Sequence, residues 1–358
     1  MRDSLWLLLV ASMACTASPG AGTSTGEADT TASSSGGVAP TTGGVTGATS
    51  GGDTSSGEPP PDGLRVHQLQ AMGTHNSYHV SSGASVIELN YTHKPLAEQL
   101  DNGARQFELD INFKQPGDPI AVYHLELLDQ GTTCVLLTDC LQALRGWSDA
   151  HPGHHMLYVM LEFKTNYNAV LGPDLMATLE QEILSVWPRE RIVAPEDVQG
   201  DADGLSAGLA ARGWPTIDAS RGKLLLVLHD AGFWRDKYVE AGLAGHLLFP
   251  DAFGDLTLPY AAVHTLNDPT GDAAKIAAAL AAGHLVRTRA DSDNVEPLAG
   301  DYTRATAALA SGATFISTDY PPPKGEVDFV FAIPEGTPSR CNPVTAPGDC
   351  TPAEIEDL

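Results

Sequence analysis

Basic residues are scarce in this chain. Its 358 residues include 20 Lys and Arg against 45 Asp and Glu, a formal net charge of −25 at pH 7. Nucleic-acid binding needs a basic surface to neutralise phosphates, so this composition argues against a nucleic-acid partner. An anionic bilayer would repel the same surface, which bears on the choice of substrate. We interpret much of the charge as a solvated surface.

The chain also lacks several common sequence motifs. No serine-nucleophile elbow, phosphate-cradling glycine loop or dinucleotide fingerprint stands in the context that each requires. There is no internal repeat. The apolar run near the N-terminus, Leu5 to Val10, is too short to cross a bilayer as a permanent helix.

That N-terminal run is typical of an export signal instead. Arg2 precedes it and small residues follow it as far as Cys15, so we assign residues 1–15 to a signal peptide. The sequence before Cys15 also fits a bacterial lipoprotein cleavage site, with Cys15 as the acylated residue. Ordinary cleavage after an Ala is the alternative.

Residues 16–62 contain no Lys or Arg and almost no large apolar side chain. Such a Thr-, Ser- and Gly-rich segment cannot bury enough surface to offset the entropy of ordering, so we expect a flexible tether. A tether directly after Cys15 favours a membrane anchor. We therefore predict an exported protein, either a lipoprotein at the cell surface or outer membrane or a secreted form, with its folded domain at 63–358.

Cysteine is rare, with five residues in all. Apart from Cys15 there are two pairs close in sequence, Cys134 with Cys140 and Cys341 with Cys350. In an exported protein this arrangement predicts two small disulfide loops, although crossed pairings stay open. Zinc binding is the weaker alternative, because neither pair has the tight spacing of zinc ligands.

Apolar strand-like runs alternate with helical segments from residue 64 onward. Alternation of this kind predicts a parallel sheet, and about eight strands predict closure into an α/β barrel of the (β/α)8 type. The segment 188–222 reads as irregular. The strand candidates are Val66–Met72, Arg105–Ile111, Ile120–Tyr123, Met156–Phe163, Lys223–Leu228, Tyr260–Leu266, His284–Thr288 and Ala313–Ser317. The helix candidates are 93–103, 138–150, 173–187, 272–282 and 301–311.

Polar residues fall at the ends of these strands or just beyond them, where a barrel of this type forms its active face. Several come as pairs two residues apart, which point to the same side of a strand and can converge on one ligand. The residues at strand ends are His75, Glu108, Asp110, His124, Glu162, Lys164, His229, Arg287, Arg289 and Asp319.

The acidic residues at these strand ends predict a cation site. Glu108 and Asp110 would place two like charges together, which is costly without a cation or a shared proton. Phe107 and Leu109 are apolar, so the two carboxylates share the other face of their strand. Glu162 and the amide oxygen of Asn76 would complete an oxygen-donor set suited to calcium. Two solvated carboxylates are the alternative.

His75 and His124 are the candidates for acid–base catalysis, since histidines close to a cation can move protons during an attack on phosphorus. His229 ends an apolar strand and receives no assigned role. We interpret the remaining histidines as structural. They are His67, His79, His93, His151, His154, His155, His246 and His264.

Lys164, Arg287 and Arg289 are candidates for binding phosphate, because forked or ammonium donors suit its oxygens. An internal Glu162–Lys164 ion pair is the alternative for Lys164. Bonding to Asp291 or Asp293 is the alternative for the arginines. Asp319 ends the last strand and would orient one of them.

Taken together, these residues resemble the bacterial and fungal calcium-dependent phosphoinositide phospholipase C family. The resemblance extends over nearly the whole folded region. The segments that carry it are Gly73–Tyr78, Pro95–Leu100, Arg105–Asp110, Trp147–His154, Leu285–Asp291, Ile316–Pro321 and Cys341–Pro343.

The resemblance implies a distorted (β/α)8 barrel that cleaves a phosphodiester between diacylglycerol and an inositol phosphate. It implies that calcium polarises the diester and favours attack by the neighbouring inositol hydroxyl, giving a cyclic inositol phosphate first. One histidine would protonate the leaving glycerol oxygen while the other steadies phosphate charge; Glu108 and Glu162 are both possible bases. Carried over by position, His75 and His124 are catalytic, Asn76, Glu108, Asp110 and Glu162 bind calcium, and Lys164 and Arg289 hold phosphate.

Two other functions stay open. A glycerophosphodiester phosphodiesterase typically has His-Arg-Gly after the first strand, where this chain has Asn76 and Ser77 after His75. A surface lipoprotein that binds a phosphorylated headgroup without turnover would have no need of both histidines and all four ligands. We expect a monomer whose partners are a phospholipid or inositol phosphodiester substrate and, through Cys15, a membrane.

Overall fold

The computed structural model describes residues 63–83, 86–165, 175–240, 242–325, 327–336 and 338–356. The predicted signal peptide, the tether and Cys15 lie outside the described residues. No helix of the described ranges is both long and apolar enough to span a membrane.

Eleven strands occur in the described part of the chain, most of them buried on both faces. They are β1 (Leu69–Thr74), β2 (Ala104–Asn112), β3 (Ala121–Val122), β4 (Leu157–Phe163), β5 (Ile192–Val193), β6 (Leu224–His229), β7 (Leu248–Pro250), β8 (Val263–Thr265), β9 (Leu285–Arg289), β10 (Phe315–Thr318) and β11 (Arg340–Cys341).

Helices connect these strands and cover the outside of the sheet with their apolar faces. They are α1 (Leu96–Asp101), α2 (Leu137–Ala150), α3 (Leu175–Val186), α4 (Pro195–Gln199), α5 (Leu205–Arg212), α6 (Ile217–Ser220), α7 (Phe233–Glu240), α8 (Ala273–Ala281), α9 (Val295–Ala299), α10 (Thr303–Ser311) and α11 (Pro352–Ile355). Short 3-10 turns occur at Val66–Gln68, Ile87–Leu89 and Arg189–Arg191.

The parallel strands follow the order β6-β4-β2-β1-β10-β9-β8, and β7 pairs with β6. A parallel bridge between Asp251 and Val263 joins the end of β7 to β8 and completes the ring. The backbone N–H of Ala252 also donates to the carbonyl of Val263 at 3.0 Å. The fold is therefore an α/β barrel of the TIM type, as the alternating pattern predicts.

The strand candidates differ from the barrel strands in two places, one strand too many and one too few. Ile120–Tyr123 is not a barrel strand: its central residues form β3, which runs antiparallel to β2. The connection between β2 and β3 is a short loop, and a parallel return needs a crossover of a dozen or more residues. The fifth barrel strand is instead β7, a three-residue strand that is not among the candidates from the sequence. The segment 188–222, read as irregular, contains β5 and α4 to α6.

The start of the barrel is tightly packed around Gly73 in β1. A Cβ at this position would lie 1.9 Å from Oε1 of Gln106 on the neighbouring strand. Only glycine allows β1 and β2 to approach this closely while Gln106 stays buried. The close approach sets the register that brings the residues after β1 against the carboxyl end of β2.

Both predicted disulfides form. Cys134 and Cys140 have Cα atoms 5.2 Å apart, and their bond links the loop after β3 to the first turns of α2. Cys341 and Cys350 have Cα atoms 6.0 Å apart, and their bond ties β11 to the loop before α11. β11 pairs antiparallel with β1, so the second disulfide fixes the C-terminal segment against the amino end of the barrel.

Candidate active site

The carboxyl ends of the strands bring the predicted site residues to one rim of the barrel. Asp110 of β2 lies in register with Glu162 of β4, and Glu162 lies in register with His229 of β6. Paired positions on neighbouring strands point to the same face. Glu108 lies two residues earlier on β2 and faces the same interior. The i, i+2 pairs therefore converge as the sequence predicts.

Glu108 and Asp110 are both buried, but their surroundings shift the pKa values of the two carboxyl groups in opposite directions. Burial alone would raise the pKa of Glu108, but Arg287 outweighs it and lowers that pKa to about 2. Nη2 of Arg287 donates to Oε2 of Glu108 at 2.5 Å. For Asp110, burial and the nearby Glu162 raise the pKa well above its usual value despite the opposing charge of Lys164. An added positive charge beside Asp110 would therefore favour its ionised form.

Lys164 lies between two of the predicted calcium ligands. Its Nζ is 3.1 Å from Oδ2 of Asp110 and 2.6 Å from Oε1 of Glu162. Burial opposes the charge of Lys164, yet these two carboxylates raise its pKa above the ordinary lysine value. The alternative considered from the sequence, an internal Glu162–Lys164 pair, is therefore present in the structure.

Asn76 places a buried amide oxygen at this rim. Its φ of 43° is left-handed, a conformation that Asn adopts more readily than most residues, and its side chain is buried. Nδ2 donates to the hydroxyl of Tyr91 at 3.2 Å. Oδ1 is buried and accepts no hydrogen bond from the described residues. An orphaned amide oxygen beside carboxylates fits a calcium ligand.

Three acidic and histidine side chains converge in a set that the sequence did not predict. Glu108, Glu162 and His229 place one ligand atom each within 4.8 Å of the other two. The structure thus brings two predicted calcium ligands together with a histidine that had no assigned role. Asp110 lies outside this group of three and contacts Lys164.

His75 is held by a chain of charged residues. Its Nδ1 is 2.8 Å from Oδ1 of Asp319, and Oδ2 of Asp319 accepts a hydrogen bond from Nη2 of Arg289 at 2.7 Å. Although burial would raise the pKa of Asp319, Arg289 and His75 hold it well below its usual value. The other ring nitrogen, Nε2, is left for a ligand. The prediction that Asp319 orients an arginine is confirmed, and the same carboxylate also holds His75.

His124 has a different partner that the sequence reading missed. Its Nδ1 is 3.1 Å from Oδ2 of Asp129, and the same oxygen is 2.9 Å from Nε2 of His79. Burial and Lys164 lower the pKa of His124, while Asp129 opposes the decrease. His79, interpreted from the sequence as structural, is fully buried and connects to the site through Asp129. Neither residue ends a predicted strand, so no positional signal pointed to them.

Arg287 and Arg289 are bound to carboxylates rather than open to solvent. Arg287 donates to Glu108 and to the side-chain oxygen of Asn267. Arg289 pairs with Asp319 and lies 3.6 Å from Asp291. Burial and Asp319 raise the pKa of Asp291 to about 7. The alternative considered from the sequence, pairing with Asp291, therefore holds for Arg289. It does not hold for Arg287, which bonds Glu108 and Asn267 instead.

Two clefts adjoin this rim. One of about 550 Å³ is lined by His124, Lys164, Asn112 and Tyr123 among others. Another of about 680 Å³ reaches Asp319, Tyr91 and Lys94.

The fold and this rim define a class of protein. A parallel barrel whose rim carries two carboxylate-paired histidines and several buried carboxylates is suited to metal-assisted chemistry on phosphate esters. A family model described as phosphoinositide phospholipase C, Ca2+-dependent, matches residues 64–118 and 112–343. The chain belongs to this family of phosphoric diester hydrolases, whose cofactor is calcium, as the resemblance in the sequence implied.

Solved structures agree in fold. The chain is similar to a calcium-dependent phosphoinositol-specific phospholipase C from a Pseudomonas species, with 20% identity, 72% of this chain and 90% of the other covered, and a TM-score of 0.54. A second crystal form of the Pseudomonas enzyme gives 18% identity, 78% and 95% coverage and a TM-score of 0.57. A calcium-dependent phosphatidylinositol-specific phospholipase C from Streptomyces antibioticus gives 21% identity, 72% and 95% coverage and a TM-score of 0.53. Comparison with curated proteins gives no match.

Proposed function

We propose that the protein cleaves phosphatidylinositol-like phosphodiesters, releasing diacylglycerol and a cyclic inositol phosphate. The observation that carries this proposal is the pairing of two histidines with separate carboxylates at the rim of one barrel. His75 bonds Asp319, and His124 bonds Asp129. Two independently oriented histidines suit a reaction in which an attacking hydroxyl and a leaving alkoxide lie on opposite sides of phosphorus.

Calcium would be held by Asn76, Glu108, Asp110 and Glu162. When bound, it would polarise the phosphodiester and ease ionisation of the neighbouring inositol hydroxyl. The unpaired Oδ1 of Asn76 and the raised pKa of Asp110 support this ligand set. Glu162 has the most exposed side chain of the four, so it would move most easily to contact the ion.

His124 would donate a proton to the leaving glycerol oxygen. Its Nδ1 is engaged by Asp129, so Nε2 is the nitrogen available for the leaving group. His75, held at Nδ1 by Asp319, would use Nε2 to stabilise charge on phosphate. Both side chains are about one-fifth exposed, which permits contact with a substrate.

Lys164 would bind a phosphate oxygen directly, and the arginines would act through their carboxylates. Lys164 is shared by Asp110 and Glu162 and lines the cleft beside His124. A cation bound by those carboxylates would free its ammonium group for the substrate. Arg287 and Arg289 are nearly buried, so we assign them the positioning of Glu108 and Asp319.

Export and anchoring complete the proposal. Residues 1–15 would act as a signal peptide and residues 16–62 as a tether, with acylated Cys15 holding a monomer at the cell surface or outer membrane. The apolar run, the composition of the tether and the two disulfides support this placement. Intact-mass analysis of the mature protein should find acylated Cys15. A mature protein that begins elsewhere and carries no lipid would contradict the anchor.

A substrate panel tests the reaction. Phosphatidylinositol, glycerophosphoinositol, phosphatidylcholine and glycerophosphocholine would each be incubated with and without calcium, and products identified by mass spectrometry. We expect calcium-dependent release of cyclic inositol phosphate from phosphatidylinositol. Turnover in excess chelator, or binding without turnover, would contradict the proposal. The strong acidity of the chain favours soluble glycerophosphoinositol as the second candidate substrate, because such a diester avoids an anionic surface.

A further inference from the structure

We propose that Glu108, Glu162 and His229 form a second kind of metal site, one that binds a borderline transition-metal ion such as Zn²⁺. One ligand atom from each residue lies within 4.8 Å of the other two. The set contains a ring nitrogen as well as carboxylate oxygens, a combination typical of zinc sites. It shares two carboxylates with the proposed calcium site but uses His229 in place of Asn76 and Asp110.

The surroundings of His229 prepare its ring for a metal. Nδ1 is 2.8 Å from Oδ2 of Asp251. The Asp251 carboxylate is buried, and its Oδ1 accepts the backbone N–H of Phe253 at 2.9 Å and of Thr265 at 3.0 Å. A carboxylate fixed in this way holds the imidazole orientation and leaves Nε2 for the metal. Metal-binding histidines usually have such a partner.

The strands place His229 where the carboxylates already converge. His229 ends β6 in register with Glu162 of β4, and Glu162 uses Oε1 for Lys164. Glu108 bonds Arg287 through Oε2. Each glutamate therefore keeps one oxygen for a metal. The ring of His229 is 14% exposed, which leaves a path for an ion from solvent.

The geometry needs a modest adjustment to hold zinc. Ligands bound tetrahedrally at zinc–ligand distances of about 2.0–2.1 Å lie roughly 3.3 Å from each other. The three atoms must therefore approach by about 1.5 Å at most, and the partly exposed Glu162 side chain has the freedom to move. Calcium prefers oxygen ligands and would gain little from the imidazole of His229.

Because Glu108 and Glu162 belong to both sets, the two ions exclude each other. Zinc bound at this site would remove two ligands from calcium and so inhibit the enzyme. This consequence for turnover rests on the proposed function, whereas zinc binding itself does not. The site would let the protein respond to the ratio of the two ions.

Calorimetric titration of the chelator-treated full chain with Zn²⁺ alone tests the binding. We expect one site in the wild type, at least roughly tenfold weaker binding in His229→Gln, and a loss of about 10- to 100-fold in Asp251→Asn. Added Ca²⁺ should raise the apparent dissociation constant for zinc. The matched control is His246→Gln, because His246 also pairs with a carboxylate, Glu180, and precedes β7 at the other end of the barrel.

A second measurement uses the wild type alone and so tests the site even if the His229→Gln variant fails to fold. Zinc should protect His229 of the wild type, and not His246, from carbethoxylation mapped by mass spectrometry. Unchanged zinc affinity in His229→Gln, absence of competition by calcium, or modification of His229 at the same rate with zinc would overturn the inference. Zinc binding without calcium-dependent turnover would instead count against the proposed function alone.

Discussion

Both ends of the barrel bury arginines, glutamates and histidines, but the two groups are assembled differently. At the amino end, Arg105 donates to both oxygens of Glu356, and Nε2 of His155 lies 2.8 Å from the hydroxyl of Ser339. The guanidinium also donates to two backbone carbonyls and covers the ring of Trp147. Arg105 and Glu356 therefore match each other in charge.

The carboxyl end carries more buried carboxylates than cations. Lys164 serves two acids, Arg289 lies between two aspartates, and the Asn76 oxygen has no partner among the described residues. A buried group without its full complement of partners costs stability, so it persists only where something else uses it. Burial of charge is therefore common to both ends, whereas an excess of buried carboxylates distinguishes the carboxyl end.

The largest effects should come from the two histidines of the carboxyl end. His75→Ala and His124→Ala should each lower turnover of phosphatidylinositol by about 10² to 10⁴, since each removes a proton-transfer or charge-stabilising group. The double variant should lose much less than the product of the two. His246→Ala is the control. Folded variants with wild-type turnover would show that the wrong histidines were assigned.

A change of one carboxylate to its amide at the carboxyl end should affect turnover and not folding. Asp110→Asn alters a proposed calcium ligand. We expect turnover to be roughly hundredfold slower, which corresponds to a loss of about 3 kcal/mol of transition-state stabilisation. The free energy of unfolding should be unchanged or higher, because Glu162 and burial already disfavour the charged form of Asp110. Turnover measured against calcium concentration, beside urea denaturation, checks both. A less stable variant with normal turnover would reverse the comparison.

The equivalent change at the amino end should do the opposite. Glu356→Gln leaves Arg105 buried without its counter-charge, which should lower the free energy of unfolding by about 3–5 kcal/mol. Turnover per folded molecule should be unchanged. Urea denaturation measures the loss, and the exposed Asp349→Asn is the control. A variant of normal stability would mean that the amino-end pair contributes no more than a surface pair.

Asp129→Asn should produce a smaller change through His124. Asp129 supports a higher pKa of His124, so its removal should lower that pKa and slow turnover by about tenfold for an alkyl leaving group. Because a general acid must be protonated, the decline of rate at alkaline pH should move to lower pH. An aryl leaving group should reduce the loss. An unshifted pH profile would restrict Asp129 to a structural role, and Asp118→Asn provides an exposed control.

The smallest effect concerns acid stability at the amino end. Burial lowers the pKa of His155 to about 4 from 6.5, despite the opposing charge of Glu356. Between pH 6.5 and 4 the unfolded chain therefore binds the extra proton, and stability falls as pH falls through this window. When the free energy of unfolding is measured against pH in this window, His155→Gln should reduce its slope by up to about 1.4 kcal/mol per pH unit. Equal slopes in the variant and the wild type would show that a group other than His155 causes the pH dependence of stability.

Short-range patterns predicted much of the site. Residues two apart on a strand share a face whatever the rest of the fold does, which is why Glu108 with Asp110 and Glu162 with Lys164 converge as expected. Close spacing likewise favoured the two disulfides. The alternation of strands and helices predicted the barrel, although β3 was counted among its strands and β7 was missed. Residues 1–62 lie outside the described part, so the signal, the tether and Cys15 stay predictions.

Pairings between distant residues were decided by the tertiary structure alone. Arg287 meets Glu108 from 179 positions away, and Asp319 joins His75 to Arg289 across the junction of β1, β9 and β10. Asp129 likewise meets His79 from 50 positions away, and the pairing of β4 with β6 brings His229 beside Glu162. Local sequence determines which way a side chain points, because that depends on the backbone of its own strand. Which opposite charge it meets depends on strand order and register around a closed ring, and those come from long-range packing.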